Sequence, residues 1–403
     1  MSYSYRSRSA RATKTRAPYG RPNRSQKTNN RRKAGQYIDP KRFVATATLR
    51  EVAPYIPLHA FSDFALDALL KENLAAKGYE TPTPIQDQSI PIGLTGQDII
   101  GLAGTGTGKT AAFALPVLHR LLTQPESGAL IVAPTRELAQ QIEQECRELG
   151  KGSGLKGALL IGGTSMGPQL RDLRAKPRIV IGTPGRIKDH LERGSLKLQH
   201  FDTVVLDEVD RMLDMGFVND IRTIIAATNN DRQCFLFSAT MDNRVRTLID
   251  DFAHEPVTVA IQTSVASENV NQDVVHYQAK EEKMSKLHDL LIDENVAKVI
   301  IFDQTQRSVE RLSKELVERG FKADAIHGGK SQGQRQRALT KFKSNHVSIL
   351  VATDVAARGI DVADITHVVN YSVPDSYDDY VHRIGRAGRA GRIGHAFTFV
   401  GRD

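Results

Sequence analysis

The chain has 403 residues, more than one ordinary domain holds and enough for two. Its 40% hydrophobic content can fill two cores, yet no apolar run approaches the ~20 residues that cross a bilayer, and no membrane role is expected. The basic amino terminus has no apolar segment of a secretory signal, and Cys146 and Cys234 lack disulfide or metal-ligand spacing, which leaves a reducing, cytoplasmic setting as the expectation. The formal charge of +9 is an uneven average: residues 1–42 carry 13 Lys and Arg against the single acid Asp39, a net +12, which leaves −3 for the remainder.

Residues 1–40 are read as a disordered basic tail, because Arg, Ser, Asn and Lys with almost no aliphatic side chains cannot bury enough surface to offset ordering. Such a tail can neutralise nucleic-acid phosphates without sequence preference, and Tyr3, Tyr5, Tyr19 and Tyr37 offer stacking surfaces. A tail that only solubilises is the alternative. From residue 61 onward, apolar runs of strand length alternate with helical patterns. The first series is 98–102, 129–133, 178–181, 203–206 and 234–237, each followed by a polar turn: AGTGTGKT, PTREL, GTPGR, DEVD and SAT. A second series follows at 299–302, 323–326, 348–351, 367–370 and 396–400. Continuous apolar strands between helices predict an α/β chain with doubly wound parallel sheets and ligands at the strands' carboxyl ends. The expected layout is a first domain at 59–262, a polar linker at 263–272 and a second domain at 273–403, with a cleft between the domains. The last strand ends close to residue 403, so no C-terminal extension is expected to add specificity.

The strongest local pattern is Ala103, Gly104, Thr105, Gly106, Thr107, Gly108, Lys109, Thr110, between a strand and a helix. This is a phosphate-binding loop with Ala103 in place of the usual first glycine: backbone N–H groups close around phosphates, Lys109 supplies charge, and the Thr110 hydroxyl can hold Mg²⁺. Asp207 and Glu208 end another apolar strand 98 residues after Lys109. In such an enzyme the first acid, Asp207, holds the metal and the second, Glu208, accepts a proton from an attacking water.

With these motifs in place the chain resembles the DEAD-box RNA helicases of superfamily 2, from about residue 61 to its end. The acid motif reads DEVD, with Val209 where the family has alanine, and its two extra methyls are expected beside the phosphate loop. The resemblance implies two RecA-like domains, ATP and Mg²⁺ as cofactors, and RNA as a partner held largely without sequence specificity. It assigns the stretch 78–86 to the adenine site, with Tyr79 within it, Gln86 reading the base edge and Phe61 stacking on the ring, with a plain core aromatic as the lesser alternative for Phe61. It places Pro134, Thr135, Arg136, Gly162, Gly163, Thr183 and Arg186 on RNA in the first domain, and Gln332, Arg335, Thr353 and Asp354 on RNA in the second. Asp361 falls near the ATP ribose, and Arg386 and Arg389 are the candidates for an arginine reaching the γ-phosphate, with Arg389 favoured. Asp210, Ser238, Thr240 and His382 are expected to couple hydrolysis to strand separation. Gly328, Gly329, Lys330 and Ser331 imitate a second phosphate loop, but Asp324 occupies its first glycine position. The implied function is an ATP-dependent RNA helicase; an ATP-gated RNA clamp or annealing factor, and a DNA-directed ATPase, are the alternatives. No protein partner, whether of ribosome assembly or of RNA decay, is specified.

Overall fold

The computed structural model describes residues 38–47, 55–104, 106–261, 269–357, 362, 364–388 and 392–401. Short, mostly apolar strands build two sheets. The first contains β1 (Ile99–Leu102), β2 (Gly128–Val132), β3 (Gly157–Leu160), β4 (Ile179–Gly182), β5 (Phe201–Leu206), β6 (Gln233–Ser238) and β7 (Val257–Ala260), in the order β3-β4-β2-β5-β6-β1-β7. The second contains β8 (Val270–Tyr277), β9 (Val299–Phe302), β10 (Ala323–Ile326), β11 (Ile349–Ala352), β12 (His367–Asn370) and β13 (Gly394–Gly401), in the order β10-β11-β9-β12-β13-β8. Every pairing within the two sheets is parallel.

Helices cover both faces of each sheet, so successive residues of a central strand enter opposite cores. In β2, Ala129 and Ile131 join one apolar cluster while Leu130 and Val132 join the other. In β9, Ile300 and Phe302 face one core and Val299 and Ile301 the second. This double burial is why these strands read as unbroken apolar runs.

Two sequence boundaries need correction. The expected linker ran to residue 272, but β8 begins at Val270 and pairs along its whole length with β13, so Val270, Asn271 and Gln272 belong to the second sheet. The expected tail ran to residue 40, but Ile38 and the 3₁₀ turn Pro40–Phe43 pack into the second lobe's core. Ile38 and Phe43 supply apolar side chains that the preceding residues lack. Residues 1–37 and 262–268 lie outside the described residues.

Val209 also departs from expectation. It is fully buried at the start of helix Val209–Asp214, in the apolar cluster that holds Leu206, Met212, Leu236 and Val245, and does not line the cleft described below. Its methyls serve packing rather than the loop. Val209→Ala removes two buried methyls and should cost about 1–2 kcal/mol in urea unfolding, while the ATP hydrolysis that the family resemblance implies should stay within about twofold. A tenfold change in turnover without loss of stability would contradict this placement.

Candidate functional site

Because β5, β6 and β1 are neighbours, the turns at their carboxyl ends meet. The phosphate loop leaves β1 and enters helix Lys109–Thr123 through Gly106 (φ +80°) and Gly108 (φ +90°), conformations open to glycine at little cost. Thr107 Oγ1 donates to the Gly104 carbonyl at 2.9 Å, and Lys109 Nζ donates to the Ala103 carbonyl at 3.1 Å. Thr105 lies outside the described residues.

Asp207 and Glu208 emerge from β5 into this corner, both almost wholly buried. Lys109 Nζ stands 4.0 Å from Asp207 Oδ1, and the Glu208 N–H donates to the same oxygen at 3.0 Å. Burial pushes the Asp207 carboxyl up to about 6, against the pull of Lys109. Glu208 goes the other way: burial would raise it, but Arg211, Lys109, Arg386 and His382 together hold it below the usual carboxylate range. Glu208 also has a left-handed backbone (φ +54°), uncommon for a non-glycine residue. Its Oε2 is buried without a hydrogen bond, 3.5 Å from Arg211 Nε.

A cleft of about 420 Å³ is lined by Gly106, Lys109, Thr110, Asp207 and Glu208 from the first lobe and by Arg386 from the second. Arg386 follows helix Tyr377–Ile384, while Arg389 and Asp361 lie outside the described residues. A larger concavity of about 960 Å³ runs along helix Gln306–Glu318 of the second lobe and includes none of these groups. That concavity has acids and cations of its own, among them Glu310, Arg311 and Lys314, but the motif residues Lys109, Asp207, Glu208 and Arg386 meet in the smaller cleft.

Beside the loop, Gln86 accepts from Thr83 N–H at 2.9 Å and donates to the Gly108 carbonyl at 3.1 Å, so its amide ties helix Pro84–Leu94 to the phosphate loop. A Cβ on Gly108 would stand 2.5 Å from the Gln86 nitrogen. Phe61 is buried edge-on against Phe64 and Tyr79, with centroids 5.8 and 5.5 Å away; the core alternative thus describes its surroundings here. Tyr79 lines the cleft and donates to Glu145 at 2.8 Å. The sequence reading missed Asp87, which accepts from Tyr55 Oη (2.5 Å) and Leu58 N–H (2.8 Å) and pairs with His59 Nδ1 (2.7 Å). Burial would raise this carboxyl, but those partners hold it low. Its position next to Gln86 was the available signal.

Asp210 joins two motifs: one carboxylate oxygen accepts from Ala239 N–H and Thr240 N–H, both at 3.1 Å, and from Thr240 Oγ1 at 3.3 Å. Ser238 is buried at the end of β6, its hydroxyl without a hydrogen-bond partner. His382 and Arg386 share a small cleft with Arg211 of the first lobe.

The turns after β2, β3 and β4 form a second cluster. Thr135, after Pro134, caps helix Arg136–Leu149. The Arg136 guanidinium lies over Gly162 and Gly163, where any side chain on Gly163 would overlap it. Arg186 donates to the Thr164 carbonyl at 3.3 Å, and Thr183 N–H donates to the Leu160 carbonyl at 2.9 Å.

In the second lobe, Gln332 and Arg335 are directed at the first. Arg335 pairs with Glu137 at 2.8 Å, and Gln332 Nε2 donates to Glu137 (3.3 Å) and Gln140 (3.0 Å), all but Gln140 buried. Glu137 sits inside the PTREL turn but drew no role from sequence. Thr353 follows β11, and Asp354 accepts from Arg383 Nε and Nη2 at 2.6 and 2.7 Å. Arg383 was likewise passed over, though it adjoins His382.

Two family models match: DEAD/DEAH box helicase over residues 83–248, and helicase conserved C-terminal domain over residues 282–391. The chain is 45% identical over 344 residues to the ATP-dependent RNA helicase CshA of Listeria monocytogenes, covering 84% of this chain and 66% of that protein. It is 42% identical over 342 residues to the DEAD-box ATP-dependent RNA helicase CshA of Bacillus subtilis, covering 84% and 69%. The chain thus spans about two thirds of the length of these relatives. Among solved structures, S. cerevisiae Dbp5 bound to RNA and ADP BeF3 superposes with a TM-score of 0.76 at 30% identity, over 85% of this chain and 90% of that one. Mss116p bound to ssRNA and AMP-PNP gives 0.75 at 31%, over 84% and 73%.

Glu137→Ala would strand Arg335 and Gln332 in a buried contact between lobes, and losing one partner of a buried ion pair costs about 3–5 kcal/mol. Dyes placed on the two lobes should then report a longer and broader distance distribution. An unchanged distribution would show that this contact does not hold the lobes together.

Proposed function

The chain belongs to the DEAD/DEAH box helicase family, and on that footing we propose that it is an ATP-dependent RNA helicase. Its substrates are ATP and single-stranded RNA, and its work is the local separation of short duplexes. One observation carries the reading: Arg386, from the second lobe, lines the same cleft as Lys109, Thr110, Asp207 and Glu208 from the first. A site completed only when two lobes meet couples hydrolysis to whatever draws them together.

The donor set suits Mg²⁺: Asp207 is a buried carboxylate short of positive charge, beside the Thr110 hydroxyl in one cleft. Asp207 and Thr110 would hold the ion, which supplies charge neutralisation to the phosphates. Lys109 and the loop N–H groups orient the phosphate chain. Glu208, kept ionised by its cationic neighbours, takes a proton from the attacking water as that oxygen bonds to the γ-phosphorus and the bond to ADP breaks. Arg386 offsets the charge spread over the transferring phosphoryl group. Asp210 links the acid motif to the end of β6, a direct path from the reacting end of ATP to the next strand. Gln86 passes base contacts to the loop through Gly108.

We assign the surface of Arg136, Gly163 and Arg186 to the RNA backbone, and Gln332 with Arg335 to the closure of the lobes upon it. Contacts of this kind position the strand and carry little base information. The basic tail adds affinity in this reading, and the two free, buried cysteines suit a reducing cytoplasm.

Steady-state hydrolysis measured without nucleic acid, with single-stranded RNA and with matched DNA tests the proposal. RNA alone should stimulate turnover, and Glu208→Gln should lower turnover by about 10²-fold or more while ATP and RNA stay bound. Equal stimulation by DNA, or wild-type turnover of Glu208→Gln, would overturn it. Stimulated hydrolysis without release of a short duplex strand would instead favour the RNA clamp. Deleting residues 1–36 removes 11 Lys and Arg, so RNA binding should weaken and its log–log salt slope should flatten by about 0.7 per lost phosphate contact.

A further inference from the structure

Residues 38–47 precede the first lobe in sequence but are built into the second. Phe43 is fully buried, its ring 4.6 Å from that of Tyr380. The Arg42 guanidinium sits 3.8 Å from the Tyr377 ring centroid. Ala45 exchanges two backbone hydrogen bonds with Gln272 on the outer side of β8, at 3.0 and 2.7 Å, and Ala47 N–H donates to the Asn271 side chain at 2.8 Å. Tyr380 Oη closes the circuit by donating to Gln272 Oε1 at 2.9 Å. The strap therefore grips helix Tyr377–Ile384 and the start of β8 at once.

That helix is the one that leads to the cleft. Its last turn carries His382 and Arg383, and Arg386 stands two residues past its end. The loop after Arg386 rests on the same strand start: a Cβ on Gly388 would stand 2.8 Å from the Asn269 carbonyl and 2.9 Å from Val270. Both supports of Arg386 thus converge on the start of β8, where the strap is also bonded through Asn271 and Gln272.

We propose that residues 38–47 are a positioning strap of the ATPase, in which Phe43, acting through Tyr380, sets the helix that presents Arg386 to the phosphates. This rests on the reading of Arg386 given above. Phe43 touches neither ATP nor RNA in this scheme. Most of the ground-state ATP contacts assigned above belong to the first lobe, whereas Arg386 acts on charge that develops during transfer, so loosening the strap should reach kcat and largely spare KM.

The test uses the full chain at a temperature where circular dichroism shows every variant folded. Phe43→Ala should lower RNA-saturated kcat about tenfold with KM for ATP within about twofold, since small misplacements of a catalytic group carry costs of this size or larger. Phe43→Leu, which refills most of the volume, should recover most of the loss. If Phe43→Ala does not fold, Tyr380→Phe decides the matter: it keeps the ring, removes the bond to Gln272 and should lower kcat severalfold with KM unchanged. Wild-type kcat in the folded variants, with only a lower melting temperature, would overturn the inference. Arg386→Ala separates the two readings: if it retains turnover, the role of Arg386 fails. If it loses turnover while Phe43→Ala does not, only the strap fails.

Discussion

Two adjacent carboxylates held out of water are the constraint around which this molecule is arranged. Asp207 and Glu208 are each under 5% exposed, and burying even one ionised carboxylate without compensation costs several kcal/mol. The first lobe supplies Lys109 and Arg211, and Arg386 and His382 of the second lobe add to the balance at Glu208. The field that keeps Glu208 ionised is therefore complete only when the lobes are together. In the proposed mechanism, coupling between lobe closure and hydrolysis follows from this electrostatic incompleteness.

Strand order then divides the labour along a single sheet edge. The turns of the proposed nucleotide site follow β5, β6 and β1, while Arg136, Gly163 and Arg186 follow β2, β3 and β4, and the two groups meet where β2 pairs with β5. A shift at one half of this edge is a shift at the boundary of the other. Glu137 extends the link across the lobes: it lies one residue after Arg136 and receives Arg335 and Gln332. The Arg136 guanidinium is itself held below its usual range by burial and by the charge of Arg335, which places the surface proposed for RNA and the lobe contact in one electrostatic neighbourhood.

The central strands and their turns were legible because double burial forces an apolar run, and a polar turn must follow it at the ligand end. Three strands escaped notice, β3, β7 and β8, and each is an edge strand. Half of an edge strand faces solvent, so VTVA and VNQDVVHY carry polar residues where a central strand carries valine or isoleucine. Motif residues were brought together as expected around Lys109, Asp207 and Glu208, because spacing along one parallel sheet fixes which turns are neighbours. Asp87, Glu137, Arg211 and Arg383 were passed over for the opposite reason. Their roles consist of contacts to other side chains; a motif neighbour marked Asp87, Glu137 and Arg383 as candidates, but no local pattern separates a buried ionic partner from a solvated one. Phe43 and Ile38 were hidden by the basic composition around them.

The strap also alters what joins the lobes. Residues 38–47 pack on the second lobe, and residues 55–59 are fixed to the first through Asp87, so the chain passes between lobes ahead of the first sheet and again after it. Seven residues separate Ala47 from Tyr55, which caps the distance between those two anchors at about 27 Å even for a fully extended chain. A connection at one point permits wide rotation about it; two connections confine the lobes to motions that respect both lengths. Wider separation would require Phe43 to leave its pocket beside Tyr380 or Tyr55 to leave Asp87. Packing contacts of an amino-terminal segment, Phe43 on Tyr380 and Tyr55 on Asp87, therefore share with the second connection the limit on how far the cleft can open.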